Sequence, residues 1–302
     1  MKVCHTWCVA CSAFVILLSE SAVAERSWTA ENEVPDTSML QVQVSFPQQP
    51  GDVWEAYQHL QYLGIAYHKS GVWVLKQLVH SIFPAIGAPD SAIGEWEVPC
   101  YPGCCSNRSA PIMVLTDMYN PDEEASSRAK ALQGLRVAGS VRDPLEMVAS
   151  AYCYHHRGQE PLNLMFWPPG SLMAMDEHEG VAFAGSRMLP LVKQMTAVFA
   201  DPKPDTFRLS YENLTVSSAG FDAEVRRLLR FWFPSLTAAA TSRALRAASV
   251  ADQHRHPEEK NFAHGNDEEC MVRARLATQK ALPAELLATY RALQRRLGYQ
   301  PT

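Results

Sequence analysis

The sequence predicts an α/β fold, with a mostly parallel central sheet flanked by helices. Three observations carry this expectation. Short apolar runs of strand length alternate with amphipathic runs of helical period along the chain. Two of the strand-like runs lead into a helical run through a cationic residue, Lys69 with a hydroxyl and a glycine, and Arg142 with an aspartate. The chain's 302 residues, 47% hydrophobic and 20% charged, can bury one large α/β core or two small ones.

Taken in order, residues 25 to about 55 are polar and contain proline, and read as a lead-in to a domain spanning 56–300. Tyr62 to Tyr67 is a short apolar strand, followed by His68-Lys69-Ser70-Gly71 and a helical run over 72–83. A cysteine-rich turn region at 95–108 precedes strands at 111–116 and 135–141. Arg142-Asp143 close the second of these. Pro144 suits the first turn of a helix over 144–157, where a missing N–H costs nothing. Residues 158–176, with Trp167-Pro-Pro-Gly170, form a loop long enough to wall or cover a ligand. A helix over 177–199 is expected to be disturbed at Pro190. Strand 206–211, overlapping the strand-like segment Phe207 to Leu214, leads to an amphipathic helix over 221–232 with an arginine-rich face. An alanine-rich helix over 236–250, a polar stretch over 252–268 and a last helix over 283–297 complete the chain. No internal repeat is visible.

Two junctions carry chemistry. Lysine, hydroxyl and glycine at a strand-to-helix turn, as in Lys69-Ser70-Gly71, are parts of a phosphate-cradling loop. It is not a Walker A loop, because no G-x-x-x-x-G-K-[ST] exists and Lys69 precedes its glycine. At the second junction Ser150 lies two turns beyond Arg142, so guanidinium and hydroxyl can close on one anion beside the helix amides. An ordinary βα turn with a solvated arginine is the alternative reading. In sheets of this class, ligand loops gather at the carboxyl ends of the strands.

These segments resemble the sulfotransferases that use 3′-phosphoadenosine 5′-phosphosulfate (PAPS). The family's 5′-phosphosulfate loop, Tyr-Pro-Lys-Ser-Gly-Thr-Thr-Trp-Leu, is similar to Tyr67-His-Lys-Ser-Gly-Val-Trp-Val-Leu75. Its 3′-phosphate motif, Arg-Asp-Pro before a helix carrying Ser and Tyr, is similar to Arg142 to Tyr152, and its Tyr-Glu-Asp-Leu to Tyr211-Glu-Asn-Leu214. The resemblance spans roughly Leu60 to Pro234. It implies the P-loop nucleotide-hydrolase-like sulfotransferase architecture and transfer of a sulfuryl group from PAPS to an acceptor hydroxyl or amine. It further implies a donor site of Lys69, Ser70, Gly71, Val72, Arg142, Ser150 and Tyr211. Lys69 would neutralise the leaving phosphate, and Ser70 would hold Lys69 back until the acceptor arrives. The general base would be Glu97 or Glu95, within Gly94-Glu-Trp-Glu-Val98, with Glu97 slightly favoured. His80, on the helix of the loop, reads as a partly buried helix residue. His155-His156 suit a helix C-terminus. His254 and His256 read as solvated, and no metal is implied. Two departures stand out. Val72 and Trp73 replace the family's threonines, removing a hydroxyl donor. The family's Arg-Lys-Gly loop is matched poorly by Arg255, His256 and Lys260.

Lys2, the apolar run from Trp7 to Leu18 and Ala22-Val23-Ala24 have the form of a signal peptide, residues 1–24. An uncleaved signal-anchor is the alternative. The run is shorter than the ~20 residues of a comfortable span. The expected location is the secretory pathway, Golgi lumen or secreted, and a glycan acceptor is the natural expectation there. Cys4, Cys8 and Cys11 leave with the signal. Cys100, Cys104, Cys105, Cys153 and Cys270 remain, an odd set with at least one thiol free or paired between chains. A local bridge within Cys100 to Cys105 is one option, and a zinc site there is a poor one. Asn107-Arg-Ser109 and Asn213-Leu-Thr215 fit the glycosylation pattern, the first the better placed. A net charge of −5 gives no reason to expect nucleic acid as partner. The competing classes are a lumenal binding protein that kept the fold without turnover and, disfavoured by the missing Walker A loop, a nucleotide-dependent phosphotransferase.

Overall fold

Five strands pair in the order β2-β3-β1-β4-β5, every neighbouring pair parallel. They are β1 (Gln61–Ala66), β2 (Ile93–Glu97), β3 (Ile112–Thr116), β4 (Leu135–Val141) and β5 (Thr206–Ser210). This computed structural model describes residues 53–97, 109–117, 129–158, 167–168, 170–257 and 266–301. All of them belong to one compact unit, Gln49–Thr302. The signal segment, the cysteines at 100–105, Asn107 of the first sequon, and residues 159–166 and 169 of the 158–176 loop lie outside the described residues.

Side chains of a strand alternate between faces, so β1 feeds two cores. Leu63 and Ile65 join the cluster built with α2 (Pro144–His156), α3 (Glu177–Phe199), α7 (Glu268–Ala281) and α8 (Ala284–Arg296). Tyr62 and Ala66 join the opposite cluster, built with α1 (Val72–Ala85), α5 (Ser218–Trp232) and α6 (Ala238–Ala248). Helices on both faces of a wholly parallel sheet are the predicted architecture. Gly139 in β4 shows how close the layers come, because a Cβ there would stand 1.9 Å from the Phe199 ring.

Most element bounds agree with the sequence reading to within three residues, and four features differ. Glu95 and Glu97 do not lie in a turn region but on β2, an edge strand whose alternating polar residues hide its period. Tyr211 starts a short helix, α4 (Tyr211–Val216), instead of continuing the strand, because the Ser210 hydroxyl accepts from Asn213 N–H and caps it. Asn213 is exposed on that helix. The α3 helix runs through Pro190 without interruption, since Pro190 and Ser186 both face solvent and water can take the carbonyl that Pro190 leaves unbonded. A helix that the sequence reading did not assign, α7, follows the polar stretch, started by Asp267, which accepts from the N–H groups of Glu269 and Cys270. A disulfide joins Cys153 on α2 to Cys270 on α7 across 117 residues. Among the described residues no helix is long and apolar enough to cross a membrane.

Candidate functional site

The strand order reverses between β1 and β4. From β1 the chain runs to β2 on one side of the sheet, and from β4 to β5 on the other. The crevice at the carboxyl ends of β1 and β4 is therefore the switch point where open α/β sheets take ligands. Register places Glu97, Thr116, Ala66, Ser140 and Leu209 in one row along that edge. The two phosphate-type junctions follow Ala66 and Ser140.

At the first junction the chain turns sharply. Lys69 has φ 64° and Gly71 φ 103°, both left-handed. Such a conformation is uncommon for a side chain larger than Asn and marks a strained turn. The Ser70 hydroxyl accepts from Tyr67 N–H at 2.9 Å, and Ser140 Oγ donates to the Ser70 carbonyl, which fixes the loop to β4. Ser70 thus faces inward and is fully buried. Lys69 Nζ instead lies 3.3 Å from the centroid of the Tyr154 ring on α2, a cation–π contact. Gly71 N-caps α1 and lends no side-chain hydrogen bond to the first N–H groups of that helix. Val72 and Trp73, its first residues, pack against the apolar cluster on that face.

The second junction is built differently. Asp143 caps α2, its carboxylate accepting from Leu145 N–H at 2.8 Å and Glu146 N–H at 3.3 Å. The sequence reading took these amides as anion donors, but their own cap uses them. What remains for a ligand is the Arg142 side chain, 9% exposed. It donates to the Lys69 carbonyl at 3.0 Å, stands 3.7 Å from Glu146 and lies 4.6 Å over the Tyr211 ring. Tyr211 in turn covers Gly71, where a Cβ would meet Tyr211 Cδ2 at 2.7 Å. Lys69, Ser70, Gly71, Val72, Arg142 and Tyr211 therefore share one crevice. Ser150 does not join them through any described bond. Its hydroxyl is held by Asn266 Nδ2 at 2.7 Å, and Asn266 also receives Arg157 at 3.4 Å.

The carboxylates divide. Glu95 pairs with Lys76 Nζ at 3.2 Å and His80 Nε2 at 2.6 Å. Burial works against its charge, yet the hydrogen bond from His80 and the Lys76 charge outweigh it and bring its pKa down to about 2. A carboxylate so stabilised is a weak proton acceptor. His80, expected as a plain helix residue, is thus its partner. Glu97 lies two residues nearer the carboxyl edge, level with Ala66 through Thr116.

Several neighbours escaped the sequence reading. His68 Nε2 and His155 Nε2 stand 2.8 Å apart, both rings buried. Burial first, then His155 and the Lys69 charge, hold His68 well below the ordinary histidine range, so it is neutral at pH 7. The His155 ring meets Trp167 edge-on at 4.7 Å. Asp117, just past β3, has φ 66°, and its N–H donates to the Ala66 carbonyl at 2.8 Å. The Thr116 hydroxyl is buried without a hydrogen-bond partner among the described residues. An acidic residue directly after the apolar run 112–116 was the available signal for Asp117. The histidine pair left none, because it joins residues 87 apart. No group of three or more metal-ligating side chains occurs among the described residues.

No family model matches the chain. No curated protein matches it either. Among solved structures, it is similar to mouse sulfotransferase SULT7A1 complexed with PAP, at 13% identity and a TM-score of 0.41, over 82% of this chain and 88% of that one. A likeness at this level assigns no activity to the chain.

Proposed function

We infer that the chain is a sulfotransferase that takes PAPS in the β1–β4 crevice and passes the sulfuryl group to an acceptor hydroxyl or amine. The observation that carries this reading is the joining of two cationic junctions at the switch point, with Arg142 bonded to the Lys69 carbonyl at 3.0 Å. A donor with phosphate at both ends needs two anion sites on one scaffold. An uncapped helix start beside Lys69 suits the phosphosulfate end, and Arg142 beside Tyr211 suits the 3′-phosphate end. The buried Thr116 hydroxyl at the same edge fits a polar ligand.

When bound, the donor supplies an activated sulfur: the acceptor oxygen or nitrogen bonds to it as the bridging S–O bond breaks, and the electron pair departs with the phosphate. The chain's own residues position and neutralise. Lys69, swung off Tyr154, meets the charge growing on the leaving phosphate, with the N–H groups of Gly71 and Val72 beside it. The acceptor's proton goes to a carboxylate at the edge. Register favours Glu97 over Glu95, and Asp117 stands one strand nearer the lysine loop. The secretory pathway and a glycan acceptor remain part of this proposal, supported by the N-terminal pattern and by a disulfide of the kind oxidising compartments maintain. A binding protein with the same donor site and no turnover is the second reading, favoured by the absence of a hydroxyl at Val72 and Trp73.

Thermal unfolding with adenosine 3′,5′-bisphosphate, AMP and ADP tests the donor site. At 100 times its dissociation constant the bisphosphate adds about 2.7 kcal/mol of stability. Selective stabilisation that disappears in Arg142→Ala supports the reading, and equal response to all three nucleotides defeats it. Lys69→Ala retaining that binding while losing about 100-fold or more in turnover identifies an enzyme. Absence of turnover in the unmodified protein with every acceptor class identifies the binding protein. Comparing Glu97→Gln, Glu95→Gln and Asp117→Asn then locates the base.

A further inference from the structure

Arg142 lies between two backbone groups tied to a single pair of side chains. The carbonyl before it, of Val141, accepts from Tyr299 Oη at 3.3 Å. The N–H after it, of Asp143, donates to Glu212 Oε1 at 2.8 Å. The two side chains are themselves joined, Tyr299 Oη donating to Glu212 Oε2 at 2.8 Å, where Ser210 Oγ also donates at 3.2 Å. A second tie comes from α8. Gln294, fully buried, places Nε2 at 3.0 and 2.9 Å from the two Asp143 carboxylate oxygens. Arg208 seats the tyrosine, its guanidinium 5.0 Å over the Tyr299 ring while it also donates to the Leu297 carbonyl.

We propose that Gln294 and Tyr299, acting with Glu212, form a clasp that positions Arg142 for the 3′-phosphate. This rests on the donor-site reading above. None of the three touches the Arg142 side chain in any described contact; Tyr299 and Glu212 act on the peptide groups on either side of it, and Gln294 on the neighbouring Asp143 carboxylate. Those groups set where the guanidinium points, and misplacing a binding group by ~1 Å can cost ~100-fold. Burial raises the Tyr299 phenol above its ordinary range, chiefly by desolvation and then by the Glu212 charge, so it stays a neutral donor. Its one proton is shared between the carboxylate and the Val141 carbonyl, with the carboxylate nearer.

The test uses the full chain carrying Tyr299→Phe, which keeps the ring over Arg208, and separately Gln294→Met, which keeps the volume. Affinity is measured by calorimetry for adenosine 3′,5′-bisphosphate and for 5′-AMP, which lacks the 3′-phosphate. The expected result is a drop of about tenfold in preference for the bisphosphate, ~1.4 kcal/mol, with AMP affinity within about twofold of the parent. In an Arg142→Ala background the same substitutions should change that preference no further. Variants that lower the unfolding temperature yet keep the full preference overturn the clasp, as does an additive loss with Arg142→Ala. Should Tyr299→Phe fail to fold, Gln294→Met decides by the same criteria. A parent protein with no preference for the bisphosphate defeats the donor-site reading, and the clasp falls with it. A preference present in the parent and unchanged in both variants defeats the clasp alone.

Discussion

The two strand-to-helix junctions at the switch point solve the same backbone problem in opposite ways. After β1, the chain enters α1 through two left-handed residues, Lys69 and Gly71, the second a cap that offers no side chain. After β4, it enters α2 through Asp143 and Pro144, with the carboxylate taking two helix N–H groups and receiving Gln294 in return. The first junction gives its helix no side-chain bond from the cap residue and carries backbone strain. The second spends its donors on itself and offers a side chain, Arg142. On the donor-site reading proposed above, one anion site would be made from backbone and the other from a side chain.

The contrast can be broken most forcefully at the disulfide that anchors the second junction. Replacing Cys153 and Cys270 together with serine should cost about 2–5 kcal/mol, since a loop of ~100 residues corresponds to about 4.7 kcal/mol in the loop-closure model. Urea unfolding of parent and double variant measures it; a change below ~1 kcal/mol would show that packing alone holds α2 on α7.

A smaller pair of effects separates the two caps. Gly71→Ala must adopt φ 103° and push against Tyr211 at 2.7 Å, and should cost about 1–3 kcal/mol. Asp143→Ala loses a cap and should cost about 0.5–2 kcal/mol. A Gly71→Ala loss below ~0.5 kcal/mol would mean that strain at the first junction is negligible.

The mildest test is pH. His68 at the first junction has a depressed pKa, so its contribution is present above about pH 6.5 and is lost as pH falls below that value. Asp143 at the second junction is raised, by burial acting against its hydrogen bonds from Gln294, Glu146 and Leu145. Its favourable contribution is therefore present below the ordinary carboxylate value, near 3.8, and lost as pH rises through its own pKa. His68→Gln should flatten the stability profile just below pH 6.5, whereas Asp143→Asn should alter only the acidic limb. A profile unchanged by either variant would remove both assignments.

Local signals explain what was legible. Val141 to Tyr152 could be read as strand end, cap and helix because Asp143 and Pro144 state the boundary in adjacent residues, and β4 and α3 have the bounds their apolar runs imply. The convergence of Lys69, Arg142 and Tyr211 also followed, since parallel strands deliver their loops to one edge. The alternating residues of β2 gave no comparable signal, and neither did the polar surface of α7. Within the site, Tyr154 under Lys69, Asn266 on Ser150 and Tyr299 beside Arg142 depend on which distant segments pack together, and no local pattern encodes that. Ser150 shows the limit best: its spacing from Arg142 suggests a shared anion, while its hydroxyl is turned to Asn266, 116 residues away.

The disulfide and the C-terminal ties also set an order of assembly. Glu212 and Tyr299 are 87 residues apart, so at ~5–20 residues per second a ribosome needs roughly 4 to 17 s between making one and making the other. During that interval all five strands exist, yet Cys270 is made only about two-thirds of the way through it, and the Val141 carbonyl waits for Tyr299 to its end. The nascent chain therefore carries the lysine loop before it carries a finished arginine site. Competence at this crevice would then report that translation has passed Tyr299.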